Sequence, residues 1–340
     1  MRRTRDSLGL FVLLLVALAF ALGGCGGDGD EGSSDEGFTL YMIPKNVGNP
    51  VFDLTNKGMQ AAASELGDTT EFNGSTEADA QQQVQVINNA VGQEPDALIV
   101  SANDPDAILP ALQEAMDKDI TVVTFDSDAN PDGRSVFAST PQAKAVGDTQ
   151  IEMCGSQINY TGEVAILSAA ATATNQNAWI AVMKDTLKDP KYSKMKLVTT
   201  VYGNDDPTKS TEEAQGLLQA YPNLKCIIAP TTVGIAAAAR VVTQQKACNK
   251  VIVTGLGLPS EMRDYVKSGC VKKNALWNFE DLGYLAAYAA HEVAAGDIEG
   301  KEGETFKAGR LGEVTVDASG AVYLPKLLIF TPENIDQYKF

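Results

Sequence analysis

The chain is predicted to fold as two successive doubly wound α/β lobes, and three observations carry that expectation. Short apolar runs alternate with longer stretches of helical period through residues 38–340. The apolar runs are near-continuous, as in parallel strands buried on both faces. The span is also too long for one typical core, and the alternation restarts near Gln142, so two lobes of similar design are expected.

Taken in order, 38–43 reads as a strand, 53–66 as a helix, 69–72 as a weak strand and 79–91 as a helix with Val84, Ile87 and Val91 on one face. A strand at 97–100, a helix at 105–118 and a strand at 121–125 follow. The second series has helices at 142–157, 175–187, 208–220, 234–244 and 260–268. Its strands fall at 163–167, 197–202, 226–229, 251–254 and 275–277. One more helix at 281–295, a strand at 327–330 and a short helix from Pro332 complete the chain. Asp104 before Pro105 has the form of an N-cap followed by proline, and Thr208, Ser260 and Thr331 are candidate caps.

Residues before the first strand address compartment. Arg2, Arg3 and Arg5 precede an apolar run from Leu8 to Leu22, shorter than the ~20 residues of a comfortable span and suited to a signal peptide. The run ends in Leu22-Gly23-Gly24-Cys25, so residues 1–24 are expected to be cleaved and Cys25 to carry a lipid. Residues 25–37 then form an acidic Gly/Ser-rich linker. An extracytoplasmic domain, tied to the cell membrane only through its lipid, follows from this reading.

The formal charge is −17, and removing a leader with three arginines and one aspartate leaves −19. Such a chain has no electrostatic case for nucleic acid or anionic headgroups. A single histidine, His291, and no Cys-x-x-Cys pair argue against zinc. Asp128–Asp132 lacks EF-hand spacing. No metal or cofactor is expected. Among Cys154, Cys226, Cys248 and Cys270, a Cys248–Cys270 bridge is favoured because both precede predicted strands; Cys226 is an alternative partner, and free thiols remain open.

Catalysis fits poorly. No Gly-x-Gly-x-x-Gly follows the first strand, and no Gly-x-Ser-x-Gly elbow is present. Asp126 and Asp128 are two apart on one strand end, which does not suit a glycosidase pair set on opposite sides of a scissile bond.

Ligands of open parallel sheets bind beyond the carboxyl ends of the strands. In the first lobe those positions hold Lys45, Asn49, Phe52, Asn103, Asp104, Asp126 and Asp128. In the second they hold Asn175, Gln176, Pro230, Thr231, Thr232, Gly257, Trp277, Asn278 and Asp281. Carboxylates and amides pair with vicinal hydroxyls, while Phe52 and Trp277 offer flat apolar faces, so a small sugar is the expected ligand.

Several segments resemble rhamnose-binding proteins of ABC importers: Ala171–Asn177 (ATATNQN), Ala229–Ala236 (APTTVGIA), Val253–Met262 (VTGLGLPSEM), Ser101–Ala107 (SANDPDA), and ALWN at 275–278 with DLGY at 281–284. The resemblance runs through essentially the whole domain. It implies a type I periplasmic binding protein fold of two Rossmann-like lobes joined by a multi-strand hinge. Lobe one would hold 38–140 plus 280–312, and lobe two 141–279 plus 313–340. It also implies no enzymatic activity, a monomer, and an ABC transporter permease as partner. A sister family binds autoinducer-2 through a lysine, two aspartates, a glutamine, a proline and an alanine. Lys45, Asp126, Gln176 and Pro230 match that set, while Asn175 and Thr232 depart from it. Those departures favour rhamnose, and Ser127, where ribose receptors carry arginine, argues against ribose. The alternatives are an autoinducer-2 or pentose receptor, and an exported sugar-acting enzyme.

Overall fold

A computed structural model describes residues 37–340; the expected leader, Cys25 and the linker up to residue 36 lie outside the described residues. The chain opens with β1 (Thr39–Ile43), α1 (Pro50–Leu66), β2 (Thr69–Phe72), α2 (Ala80–Val91) and β3 (Ala97–Val100). Next come α3 (Leu109–Met116), β4 (Thr121–Phe125) and β5 (Val136–Ser139). The second lobe runs through α4 (Ala143–Gln157), β6 (Thr161–Ser168), α5 (Thr174–Thr186), β7 (Lys194–Tyr202) and α6 (Pro207–Ala220). It continues with β8 (Leu224–Ala229), α7 (Thr232–Gln244), β9 (Ile252–Gly255), α8 (Pro259–Lys267) and β10 (Asn274–Leu276). The remainder forms α9 (Phe279–Ala294), β11 (Thr305–Lys307), β12 (Glu313–Thr315), β13 (Ala321–Tyr323) and β14 (Leu328–Phe330).

The first sheet has six parallel strands in the order β13-β5-β4-β3-β1-β2, and the second has four in the order β7-β6-β8-β9. Buried β3 (ALIV) and the inner part of β6 (VAILS) are apolar throughout or nearly so, because helices cover both faces. β10 bridges the β9 side through Leu256 and Ala275 and pairs antiparallel with β14. The chain passes between lobes three times: from β5 to α4, from β10 to α9, and from β13 to β14.

The tail differs from its expected assignment to lobe two. β13 lies in the first sheet, with Val322 beside Ala138, and satisfies backbone groups along the β5 edge. From β14 onward the tail joins the second lobe, β14 pairing with β10 and the final residues packing on α8, where Arg263 donates to the Tyr338 carbonyl. The strand at 136–139 and the three-residue strands β11 to β13 are also additions to the predicted set.

Helix starts are shifted for identifiable reasons. Asp104 accepts hydrogen bonds from the Asp106 and Ala107 amides, closing a turn, and α3 begins only at Leu109. Asp206, rather than Thr208, caps α6, with Pro207 at its first position. The cap position of α8 is Leu258, without a side-chain bond, so Ser260 does not cap it. Thr331 precedes a single 3-10 turn, Ile335–Gln337, and receives rather than supplies the side-chain bond, its amide donating to Asn334 Oδ1.

Helix α9 belongs to the first lobe, where it packs on α1 at backbone contact. A Cβ on Gly58 would lie 1.8 Å from the Glu280 carbonyl oxygen, and one on Gly283 would lie 1.8 Å from that of Thr55. Glycine at both positions is therefore a packing requirement. The Cys248–Cys270 bridge is present, with Cα atoms 4.8 Å apart. A second bridge joins Cys154 in α4 to Cys226 in β8.

Candidate ligand-binding site

The carboxyl ends of the two sheets face each other, and side chains from both lobes close a cavity of about 40 Å³. Its polar centre is Asp126, which follows β4 with a positive φ of 56°. A non-glycine residue held in that region is costly and concentrates at functional sites. Asp126 Oδ2 lies 3.4 Å from Lys45 Nζ and accepts from Ser101 Oγ at 3.2 Å. Lys45 and Asp126 are only 4% and 6% exposed, so neither charge is well solvated without the other.

The second lobe supplies the opposite wall. Asn175 Oδ1 accepts the Gln176 amide at 2.7 Å, while Asn175 Nδ2 donates to Asp126 Oδ1 at 3.0 Å. Gln176 Oε1 accepts from Ser168 Oγ at 2.6 Å and from the Ala169 amide at 2.8 Å, which leaves its Nε2 as the end facing the cavity. Thr231 caps α7 and donates to the Asp205 carboxylate. Burial pushes the Asp205 carboxyl above its ordinary range; nearby Lys45 and the Thr231 hydroxyl pull it down, and Asp126 adds to the rise.

An apolar surface completes the enclosure. Phe52, Trp179, Trp277 and Phe279 line it together with Leu256 and Leu276. Trp277 packs edge-on to Trp179 at 5.5 Å between centroids and lies 5.4 Å from Phe279. Its Nε1 is buried without a hydrogen-bond partner among the described residues, an arrangement that ordinarily costs ~1–3 kcal/mol.

Of the residues singled out from sequence, Lys45, Asn49, Phe52, Asp126, Asn175, Gln176, Pro230, Thr231, Thr232 and Trp277 line this one cavity. Six others lie outside its lining. Asp128 pairs with Arg134 at 2.8 Å, and Asp281 pairs with Arg310 at 3.0 Å. Asn278 caps α9 through the Glu280 amide. Asp104 closes the turn described above. The Gly257 amide donates to the Ala275 carbonyl, and its own carbonyl accepts from Asn274 Nδ2. Asn103 Nδ2 donates to the Lys45 carbonyl, and the Asn103 carbonyl accepts from Thr172 Oγ1 of the other lobe at 2.8 Å. Sequence reasoning missed Asp205, Trp179 and Phe279 as lining residues. For Asp205 the available signal was its place after β7, the same strand-end rule that located Asp126.

Further bonds cross between lobes beside the cavity. Thr174 Oγ1 donates to the Asp128 carbonyl at 2.9 Å and lies 3.1 Å from Ser127 Oγ. Among the described residues, no group of three or more His, Cys, Asp or Glu is placed to hold a metal, and no helix is long and apolar enough to cross a membrane.

Residues 40–298 match the family described as the periplasmic binding protein domain. A sugar ABC transporter structure from Actinomyces odontolyticus is 46% identical, with a TM-score of 0.72 covering 89% of this chain and 98% of that one. An ABC transporter solute binding protein from Clostridium phytofermentas with bound L-rhamnose is 37% identical, with a TM-score of 0.86 and the same coverage of 89% and 98%. LsrB from Clostridium saccharobutylicum in complex with AI-2 is 27% identical, with a TM-score of 0.84 covering 89% of this chain and 100% of that one. With two parallel-sheet lobes, three crossings and a cavity between facing strand ends, this chain belongs to the periplasmic binding protein family and has its type I fold.

Proposed function

We propose that this protein is the extracytoplasmic sugar receptor of an ABC importer, holding one monosaccharide, L-rhamnose or a related deoxyhexose, between its lobes. The observation that carries the reading is the division of the cavity into two chemistries. Lys45, Asp126, Asn175, Gln176 and Asp205 present donors and acceptors, while Phe52, Trp179 and Trp277 form an apolar wall. A deoxyhexose has the matching halves: hydroxyls that need partners, and a methyl group and C–H face that do not. The relative with bound L-rhamnose supports this choice. The cavity is lined by side chains of both lobes, so a sugar enters as the lobes part. Hinge motion at the three crossings supplies that opening.

Cys25 is proposed to carry the lipid that tethers the receptor, on the strength of the Leu22–Cys25 sequence. The receptor would work as a monomer beside its permease, without a cofactor and without turning over the sugar. Autoinducer-2 is the second reading, supported by the likeness to LsrB and by Lys45, Asp126, Gln176 and Pro230. Asn175 and Thr232 weigh against it.

Calorimetric titration with L-rhamnose, ribose, galactose and autoinducer-2 tests the proposal. One-to-one binding of rhamnose that disappears in Asp126→Ala is expected. Binding of autoinducer-2 with rhamnose silent would overturn the choice of ligand, and chemical conversion of a bound sugar would overturn the receptor reading.

A further inference from the structure

Resting on the sugar-receptor reading, we propose that a groove at the mouth of the cleft takes a glycosidic substituent carried by the bound sugar, so that the protein accepts glycosides or short saccharides as well as the free monosaccharide. The interlobe crossings lie on the side of β5, β13, β10 and β14. The groove lies on the far side, beneath the loops after β1, β2 and β7. Its volume is about 770 Å³, within the ~300–1,000 Å³ of ordinary ligand sites.

Two features connect this groove to the sugar. Asn49 and Asp205 line both the inner cavity and the groove, so the two spaces share a wall built from both lobes. The first lobe also brings Asn46 and Glu77 to the groove, and the second brings Lys209 and Arg240. Glu77, Lys209 and Arg240 make no ion pair among the described residues. Asn46 Oδ1 is buried without a partner there. Donors and acceptors are thus available on both sides of the groove, which suits a hydroxyl-rich substituent.

The shape agrees. Val233, Ala236, Ala237 and Arg240 are spaced i, i+3, i+4 and i+7 on α7, so one helix face lines the groove. Small side chains at 236 and 237 keep that wall low, and Arg240 stands at its end with Nη2 donating to Thr211 Oγ1 at 2.7 Å. A substituent leaving the sugar between Asn49 and Asp205 would run along this face.

Titrations with L-rhamnose, methyl α-L-rhamnopyranoside and a rhamnosyl-glucose disaccharide test the inference on the wild-type protein, Ala236→Trp and Val233→Phe. Wild type is expected to bind all three within about tenfold of one another. The two variants, which fill the groove, should lose about tenfold or more for the disaccharide while rhamnose changes less than about twofold. Unchanged rhamnose binding is also the check that each variant is folded, and either variant alone suffices. If wild type binds rhamnose but rejects both glycosides, the inference falls and the receptor reading stands. The inference also falls if the disaccharide binds the filled variants as well as wild type. If Ala236→Trp binds every sugar normally but abolishes uptake, the groove is a transporter contact instead. If no sugar of the series binds wild type, both readings fall.

Discussion

Asn175 Nδ2 donates to Asp126 Oδ1 across 3.0 Å, so an amide of the second lobe is paired with the central carboxylate of the first. Each group satisfies the other where the lobes meet. A ligand hydroxyl entering between them replaces that one bond with two, donating to Asp126 and accepting from Asn175. The proposed sugar therefore substitutes for an existing lobe-to-lobe contact without stranding either group.

Asn175→Ala is expected to weaken rhamnose binding roughly tenfold or more, the loss of a hydrogen bond worth ~1–3 kcal/mol in a buried setting. Asp126→Ala should cost more, because it also leaves Lys45 buried without its counter-charge. Calorimetry measures both. An Asn175→Ala affinity equal to wild type would remove Asn175 from the site.

Asp205 should make stability depend on pH. Its pKa in the folded chain is raised above the ordinary 3.8, chiefly by burial. Such a carboxyl contributes most when protonated; that contribution is complete below the unfolded value and is lost as pH rises through the folded one. Asp205→Asn removes the loss while keeping an acceptor for Thr231. The variant should melt above wild type at neutral pH and converge with it as pH falls toward about 4. Thermal melts across that range would show the trend, and a variant that melts lower at neutral pH would contradict it.

Gly283→Val should destabilise the first lobe by about 3 kcal/mol or more, because the obstacle is the Thr55 backbone and no side chain can move aside. Urea denaturation reads the loss. Gly283 does not line the cavity, so affinity in the folded fraction should change little.

Replacing both Cys248 and Cys270 by serine should cost about 3 kcal/mol, as expected for opening a loop closed across 22 residues. The bridge lies outside the cavity lining, so calorimetry should return the wild-type affinity at a temperature where both proteins are folded.

What could be read from sequence follows from the range of the forces involved. Strands such as β3 and helices such as α2 announce themselves through local apolar period. Lys45, Asp126 and Gln176 were found because each stands immediately after a strand or at the next helix start. The same rule also selected Asp104, which closes a turn, Asn278, which caps α9, and Asp281, which pairs with Arg310, since such roles and a ligand acceptor use the same short polar side chains at the same place. Asp205 escaped because it sits in Asn204-Asp205-Asp206-Pro207, where Asp206 is the cap and two successive residues with positive φ turn Asp205 inward. Strand β13 escaped for a different reason. Its three residues have no period of their own, and only β5, far earlier in the chain, makes them a strand.

The threading of the tail has a consequence for how the molecule is made. The first sheet lacks its β13 edge until residue 323 has emerged, and α1 lacks its close-packed partner until α9 has been synthesised. The second lobe in turn awaits β14. Neither half can mature domain by domain as the chain lengthens, because each is completed by segments that appear last. Contacts of such high sequence separation form slowly, which keeps both lobes open until the last strands are available to them.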